Sequence, residues 1–308
     1  MSKFLIVGAG AIGSRVSRAL VEQHHEVVVV SRSGSNIAGT SSAAVSAADA
    51  AQMRGLAHGS SAIFNCANPA YHRWPTDWPP IAASLLAAAE SSGATLVTLS
   101  NLYAYGRVHA AMTPSTPLHA DYAKAQVRAR MWTDALAAHQ AGRVLACEVR
   151  ASDYIGPGSQ GVFGLRVIPR LLAGKSVQVL GSLDQPHSWT FVDDVATTMV
   201  ACAQRPQAWG RVWHVPSNAP RTQRQVIDDL CAAAGIEPGH ARVMSPVLLR
   251  LLGVVNPVIR ELPHTMYQFT APFVIDDSLT RAELHLEPTA WRDIVRATLN
   301  EYRPLVTR

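Results

Sequence analysis

Three glycines, Gly8, Gly10 and Gly13, stand in the spacing G-x-G-x-x-G directly after the apolar run Phe4 to Val7. Val16, Leu20 and Val21 follow at helical spacing. Strand, glycine turn and helix in that order make a seat for a pyrophosphate. The glycines permit a sharp turn, a close approach by phosphate and tight packing of helix on strand. Unpaired N–H groups at the helix start, backed by the helix dipole, favour the negative charge. Gly8, Gly10, Ala11, Ile12 and Gly13, with Ala67 at the end of a later strand, form the expected dinucleotide cradle. A second strand, Glu26 to Val30, runs into Ser31-Arg32-Ser33. An acidic residue there would bond the ribose 2′-hydroxyl and select NAD. None is present. Arg32 offers a guanidinium fork to a 2′-phosphate, and Ser31 and Ser33 add hydroxyls, so NADP(H) is expected ahead of NAD(H).

A second group of residues suits an apolar ligand. Tyr71, His72, Trp74 and Trp78 follow a strand end, and Trp189, Trp213 and His214 flank later elements. Aromatic-lined concave sites with few polar groups suit small organic molecules. Tyr71, Trp74, Tyr105, Tyr154, His187 and Trp189 are the expected substrate contacts. The histidines lack metal-ligand spacing with cysteine or carboxylate, so no metal site is expected. Asp193-Asp194 reads as a helix cap, and Tyr267-Gln268-Phe269 as packing.

Positioning these groups requires an alternating chain. Strands are expected at 3–8, 26–31, 62–67, 95–100 and 144–150, and helices at 11–23, 50–57, 80–92 and 121–141. Asn68 to Pro80 reads as a structured loop. Such alternation predicts a parallel sheet covered on both faces. Beyond Arg150 a helix is expected at 163–174, short strands at 177–180 and 211–215, and a helix-like stretch at 190–204. A proline-broken tail follows. The fold class is α/β: a Rossmann doubly wound parallel sheet with a smaller C-terminal substrate-capping domain. The dinucleotide domain comprises 1–160 plus 188–216, and the substrate domain 161–187 plus 217–308.

The chain has 308 residues, 48% of them hydrophobic, enough for one large or two joined cores. Lys+Arg 27 against Asp+Glu 22 gives +5 with no long basic run, which argues against nucleic acid. Cys66, Cys147, Cys202 and Cys231 are scattered, as buried thiols in a reducing compartment would be. No apolar stretch reaches a bilayer-spanning length, and glycines and arginines interrupt the N-terminal run, so it does not read as a signal peptide. A cytoplasmic protein without membrane partners is expected.

Together with the glycine turn, the segments Leu99-Ser100-Asn101-Leu102-Tyr103-Ala104-Tyr105-Gly106, Arg150 to Gly158, Trp189 to Ala196 and Leu286-Glu287-Pro288-Thr289 make the chain resemble the extended short-chain dehydrogenase/reductases, the NAD-dependent epimerase/dehydratase group. The resemblance implies a Ser or Thr that bonds the substrate oxygen, a YxxxK tyrosine that moves its proton, and a lysine that holds the nicotinamide ribose. In this chain the first slot falls on Asn101. The lysine is Lys124, shared between catalysis and cofactor binding. Ala120 stands where the tyrosine would be, and Tyr122 is two residues from the lysine rather than four. His187 occupies the position of an arginine that meets a nucleotide diphosphate in the family's sugar-nucleotide enzymes, which argues against such a substrate. Tyr103 and His187 are therefore the candidate proton donors beside Asn101. The implied function is an NADP(H)-dependent oxidoreductase of a small, largely apolar carbonyl, alcohol or imine. The alternatives are an epimerase or dehydratase with tightly held cofactor, and a non-catalytic NADP(H) sensor. The resemblance also implies a homodimer through the helices near 80–92 and 121–141, against which Arg128, Arg130 and Arg143 are expected at the surface.

Overall fold

The computed structural model describes residues 1–159, 161–237 and 239–306. Strands β1 (Lys3–Val7), β2 (Glu26–Ser31), β3 (Ser41–Ala44), β4 (Ser60–Asn65), β5 (Thr95–Ser100) and β6 (Ala146–Arg150) enter one sheet, and β7 (Asp153–Ile155), β8 (Val177–Val179), β9 (Trp189–Phe191), β10 (Val212–His214) and β11 (Ala241–Val243) follow. The main sheet is seven-stranded in the order β10-β6-β5-β4-β1-β2-β3, every pairing parallel. Helices α1 (Ala11–Glu22), α2 (Ala50–Ala57), α3 (Trp74–Ser92), α4 (Ala123–Gln140), α5 (Gly164–Leu172), α6 (Val192–Gln204), α7 (Gln223–Ala234), α8 (Pro246–Val255), α9 (Pro257–Glu261), α10 (Tyr267–Thr270), α11 (Ser278–Leu284) and α12 (Trp291–Val306) complete the chain. The expected doubly wound α/β sheet is what forms.

Strand alternation builds the two faces. Phe4, Ile6, Val27 and Val29 pack with Val16 and Leu20 of α1 and Val195 and Met199 of α6. Leu5, Val7, Val28 and Val30 pack with Met53 of α2 and Leu85, Ala88 and Ala135 of α3 and α4. Side chains of period two feed opposite layers, as the pleat demands. The first layer continues without a break into Phe163, Ile168, Ile227, Leu230 and Leu299, so the later elements share the sheet's core. Strand order reverses between β1 and β4, and a ligand crevice opens at such a switch point.

Three local expectations are corrected. Helix α3 begins at Trp74, not 80, and carries Pro79 and Pro80 inside it. Each proline removes an N–H and crowds the preceding turn. The turn survives because buried Trp74 and Trp78 are clamped on Arg128 from α4. That makes Arg128 a core residue at 5% exposure, not a surface one. Asp193 and Asp194 do not cap α6 with their side chains. Asp193 pairs with Arg15 of α1, and Asp194 accepts from Thr289 N and Oγ1 at 2.9 and 2.6 Å, pinning the Leu286–Thr289 segment to α6. Among the described residues no helix is long and apolar enough to cross a membrane, and no cluster of three potential metal ligands occurs.

Candidate active site

The glycine turn fixes the first half of the site. Gly8 has φ +108°, and a side chain there would strike the Cys66 carbonyl. A Cβ on Gly13 would lie 1.8 Å from the Gly8 oxygen, so helix and turn can close only on hydrogen. Gly10 is different. A Cβ there meets nothing within 4 Å, so the space before it is open to a ligand. Gly10 caps α1 without any side-chain hydrogen bond. The first-turn N–H groups, led by Ala11 and Ile12, are left for an outside acceptor. These residues fit a dinucleotide pyrophosphate. Ala67 N lies directly against Gly8. Cys66 Sγ approaches Met199 Sδ, and burial pushes its thiol up to about 12, so it is an inert wall.

At the end of β2, Ser31 Oγ donates to the Gly34 carbonyl at 2.6 Å and shapes the turn. Arg32 and Ser33 are exposed there. The positive charge of Arg32 is among those that hold the Asp77 carboxyl below the usual carboxylate range, after the hydrogen bonds and charge of Arg73.

The second half lies beyond β4 and β5. Asn101 Oδ1 accepts from Tyr103 N at 3.2 Å, which winds residues 103–105 into a short turn. Tyr103 is thereby carried to Tyr71, and the two hydroxyls meet at 3.2 Å. Burial raises both above the ordinary phenol range, so both stay protonated and can donate. Trp74 packs on Tyr71 and Tyr103 at centroid distances of 5.2 and 5.8 Å. Lys124, 3% exposed, holds its ammonium 4.5 Å from the Tyr71 ring centre and pairs with Glu261 at the end of α9. Tyr122 sits before α4 with extended backbone, so it leaves the helix face that Lys124 uses. Its ring joins Tyr103, His264 and Tyr267, and burial raises its phenol as well.

Other expected contacts lie elsewhere. Tyr105 is wholly buried, its hydroxyl 2.8 Å from His214 Nε2 and its ring under Arg150. His187 is 1% exposed. Its Nε2 faces Asp153 Oδ2 at 2.8 Å, its Nδ1 faces the Gln268 carbonyl at 3.0 Å, and Phe269 and Phe273 stack on it. Trp189 is buried beside it and donates Nε1–H to the Arg221 carbonyl at 2.9 Å. None of these three presents a free polar atom to a ligand. Tyr154 is half-buried, its phenol raised by burial. The structure thus brings Asn101, Tyr103, Tyr71, Trp74 and Lys124 together and sets His187, Trp189 and Tyr105 into the walls. Sequence reasoning missed Glu261 and Arg128. Neither follows a strand end or sits in a recognisable motif, and only the packing of α9 and α3 brings them in. Arg128 donates to the Leu99 carbonyl at 3.2 Å, and burial brings its guanidinium down to about 10.

A doubly wound sheet with an uncapped glycine turn at its switch point, and a lysine and tyrosines beyond β5, defines a dinucleotide-dependent enzyme of the short-chain dehydrogenase/reductase type. The sequence profile of the NAD dependent epimerase/dehydratase family matches residues 4–215, and the chain belongs to that family. Solved structures repeat the architecture. A dTDP-glucose 4,6-dehydratase from Streptomyces venezuelae, described with NAD and TYD bound, superposes with a TM-score of 0.79 at 18% identity, over 98% of this chain and 97% of that one. A UDP-glucose 4-epimerase from the hyperthermophile Thermotoga maritima gives 0.78 at 18% identity over 99% of both chains. A UDP-glucuronic acid 4-epimerase from Bacillus cereus gives 0.79 at 16% over 98% of this chain and 99% of that one. No curated protein matches by sequence.

Proposed function

We propose that the chain is an NADP(H)-dependent oxidoreductase acting on a small, largely apolar carbonyl, alcohol or imine, with Tyr103 in place of the family's YxxxK tyrosine. The observation that carries this reading is the hydroxyl pair of Tyr103 and Tyr71 at 3.2 Å, beside the Lys124 ammonium. A bound nicotinamide supplies or accepts the hydride. The chain's own part is the proton. A protonated Tyr103 donates to the substrate oxygen or nitrogen, Tyr71 orients it, and a proton from solvent passed through Tyr71 restores Tyr103, so neither phenol stays ionised. Asn101 holds the Tyr103 turn, Lys124 serves the cofactor ribose, and Trp74, Tyr71 and Tyr154 supply apolar walls. Gly8 to Gly13 and Ala67 cradle the pyrophosphate, and Arg32 with Ser33 takes the 2′-phosphate. The similar enzymes are named for nucleotide-sugar substrates. Here His187, buried against Asp153, gives a diphosphate no outward cation. A homodimer and a cytoplasmic location belong to the same proposal.

Single-turnover oxidation of NADPH with a panel of apolar ketones and cyclic imines tests the reading. Turnover that Tyr103→Phe removes supports it. Cofactor that survives gel filtration with unchanged redox state while a sugar epimerises favours the epimerase or dehydratase reading, for which the family membership speaks. Tight NADPH binding without any turnover favours a sensor, for which Ala120 speaks.

A further inference from the structure

The exposed large apolar side chains of the described residues gather in one place: apart from Met1 and Leu145, all lie between Val243 and Val258. Helix α8 inverts the usual amphipathic pattern. Leu249 and Gly253 face inward, while Val247, Leu251, Val254 and Val255 point outward at 64, 64, 78 and 81% exposure. Val258 extends the strip onto α9. The surface is not a frayed segment. A Cβ on Gly253 would lie 3.2 Å from the Arg260 backbone, so α8 and α9 are closely packed. Asn256 Oδ1 caps α9 by accepting from Val258 N and Ile259 N at 2.9 and 3.2 Å. Arg242, Arg250 and Arg260 are exposed around the strip, and no Asp or Glu occurs from Gly239 to Arg260.

We propose that the α8–α9 hairpin is an interfacial element that seats this protein on the surface of an anionic lipid bilayer. An outward apolar face with arginines around it, the hairpin's one acid being Glu261 at its end, paired with Lys124, is what such an interface recognises: the apolar side chains enter the acyl boundary and the guanidinium groups meet the headgroup phosphates. A second copy of the chain fits poorly. A ten-residue helix is about 15 Å long and about 10 Å wide, so its face offers far less than the roughly 800 Å² per partner of a stable interface. Two copies would also bring their arginines together. The hairpin ends at Glu261, which holds Lys124, so docking sets the candidate active site beside the lipid. The proposal does not depend on the reaction assigned to that site.

Vesicle co-sedimentation with the full chain tests it, comparing phosphatidylglycerol–phosphatidylcholine vesicles with pure phosphatidylcholine at low and high salt. Binding to the anionic vesicles is expected, weakened by salt and reduced at least about tenfold in Leu251→Glu/Val255→Glu. These positions are exposed, so circular dichroism and NADPH binding should report an unchanged fold. Arg292→Glu on α12 makes the same net charge change of −2 on a remote exposed site and should leave binding intact. The proposal is overturned if wild type ignores anionic vesicles, or if Arg292→Glu loses as much binding as the double variant. A dimer in light scattering that the double variant dissolves would overturn it in favour of a second copy.

Discussion

The Tyr71 and Tyr103 hydroxyls lie 3.2 Å apart although 32 residues separate them. One stands before α3 and the other after β5, so neither loop builds the pair alone. Both phenols are raised by burial and remain donors. If Tyr103 hands its proton to substrate, Tyr103→Phe lowers kcat about 100-fold with little change in KM. Tyr71→Phe, which removes only the orienting partner, costs less. Steady-state kinetics of the two variants decide, and unchanged turnover in Tyr103→Phe removes the proton role.

Gly10 and Gly13 differ in what a methyl group would meet. Gly10→Ala finds open space at an ordinary φ of −75°. It should fold with unchanged Tm yet bind NADPH markedly more weakly, because the methyl fills the pyrophosphate's place. Gly13→Ala drives a Cβ into the Gly8 carbonyl and should lower Tm whether or not cofactor is present. Thermal scans with and without NADPH separate the two effects.

Arg32 is exposed just past the end of β2, where a 2′-phosphate reader would stand. Arg32→Ala should weaken NADPH at least about tenfold and leave NADH nearly unchanged. Equal loss of both cofactors, measured by fluorescence titration, would remove the NADP(H) preference.

Lys124 and Glu261 form a pair with a buried ammonium. Glu261→Gln leaves that charge without its partner and should cost about 3 kcal/mol in urea unfolding, the low end for a buried pair because Glu261 is a quarter exposed. Lys124→Met removes the charge itself, so it should cost less stability while weakening cofactor binding. If Glu261→Gln proves as stable as wild type, the pairing has no energetic weight.

His214 gives the fold an acid limit. Its Nδ1 faces the Asp276 carbonyl at 2.9 Å and must donate to it, so Nε2 accepts from Tyr105. Burial brings the imidazole from 6.5 down to about 4. Below pH 6.5 the unfolded chain takes up a proton that the folded chain refuses, so stability falls as pH drops towards 4 and levels off beneath it. The full loss is about 3 kcal/mol. His214→Gln should flatten this part of the stability–pH curve, read by urea unfolding from pH 7 to 4.

Much of the fold was legible in the residues. Strands β1, β2, β4, β5 and β6 announce themselves by apolar runs, because a parallel strand is buried on both faces, whereas the exposed edge strand β3, Ser41–Ala44, carries no such run. The Gly8–Gly13 turn is legible because only glycine satisfies its geometry. The start of helix α3 is not legible locally, since Pro79 and Pro80 argue against helix and only the Trp74–Arg128–Trp78 stack overrules them. Arg128 looked like a surface residue for the same reason: its burial is a property of α3, not of its own helix. His187 looked like an active-site histidine from its place in the chain, yet Phe269 and Phe273, some eighty residues later, close over it.

What the sequence alone determined is the dinucleotide turn, the doubly wound sheet, the family and the absence of a tyrosine four residues before Lys124. These rest on backbone geometry and short-range periodicity, which neighbouring residues carry. What only the tertiary structure decided is which polar groups remain available. Tyr71 meets Tyr103, Glu261 reaches Lys124, and His187 and Tyr105 are spent inside the walls. Such pairings join residues distant along the chain, and they are fixed by how whole elements pack rather than by the spacing within any one of them.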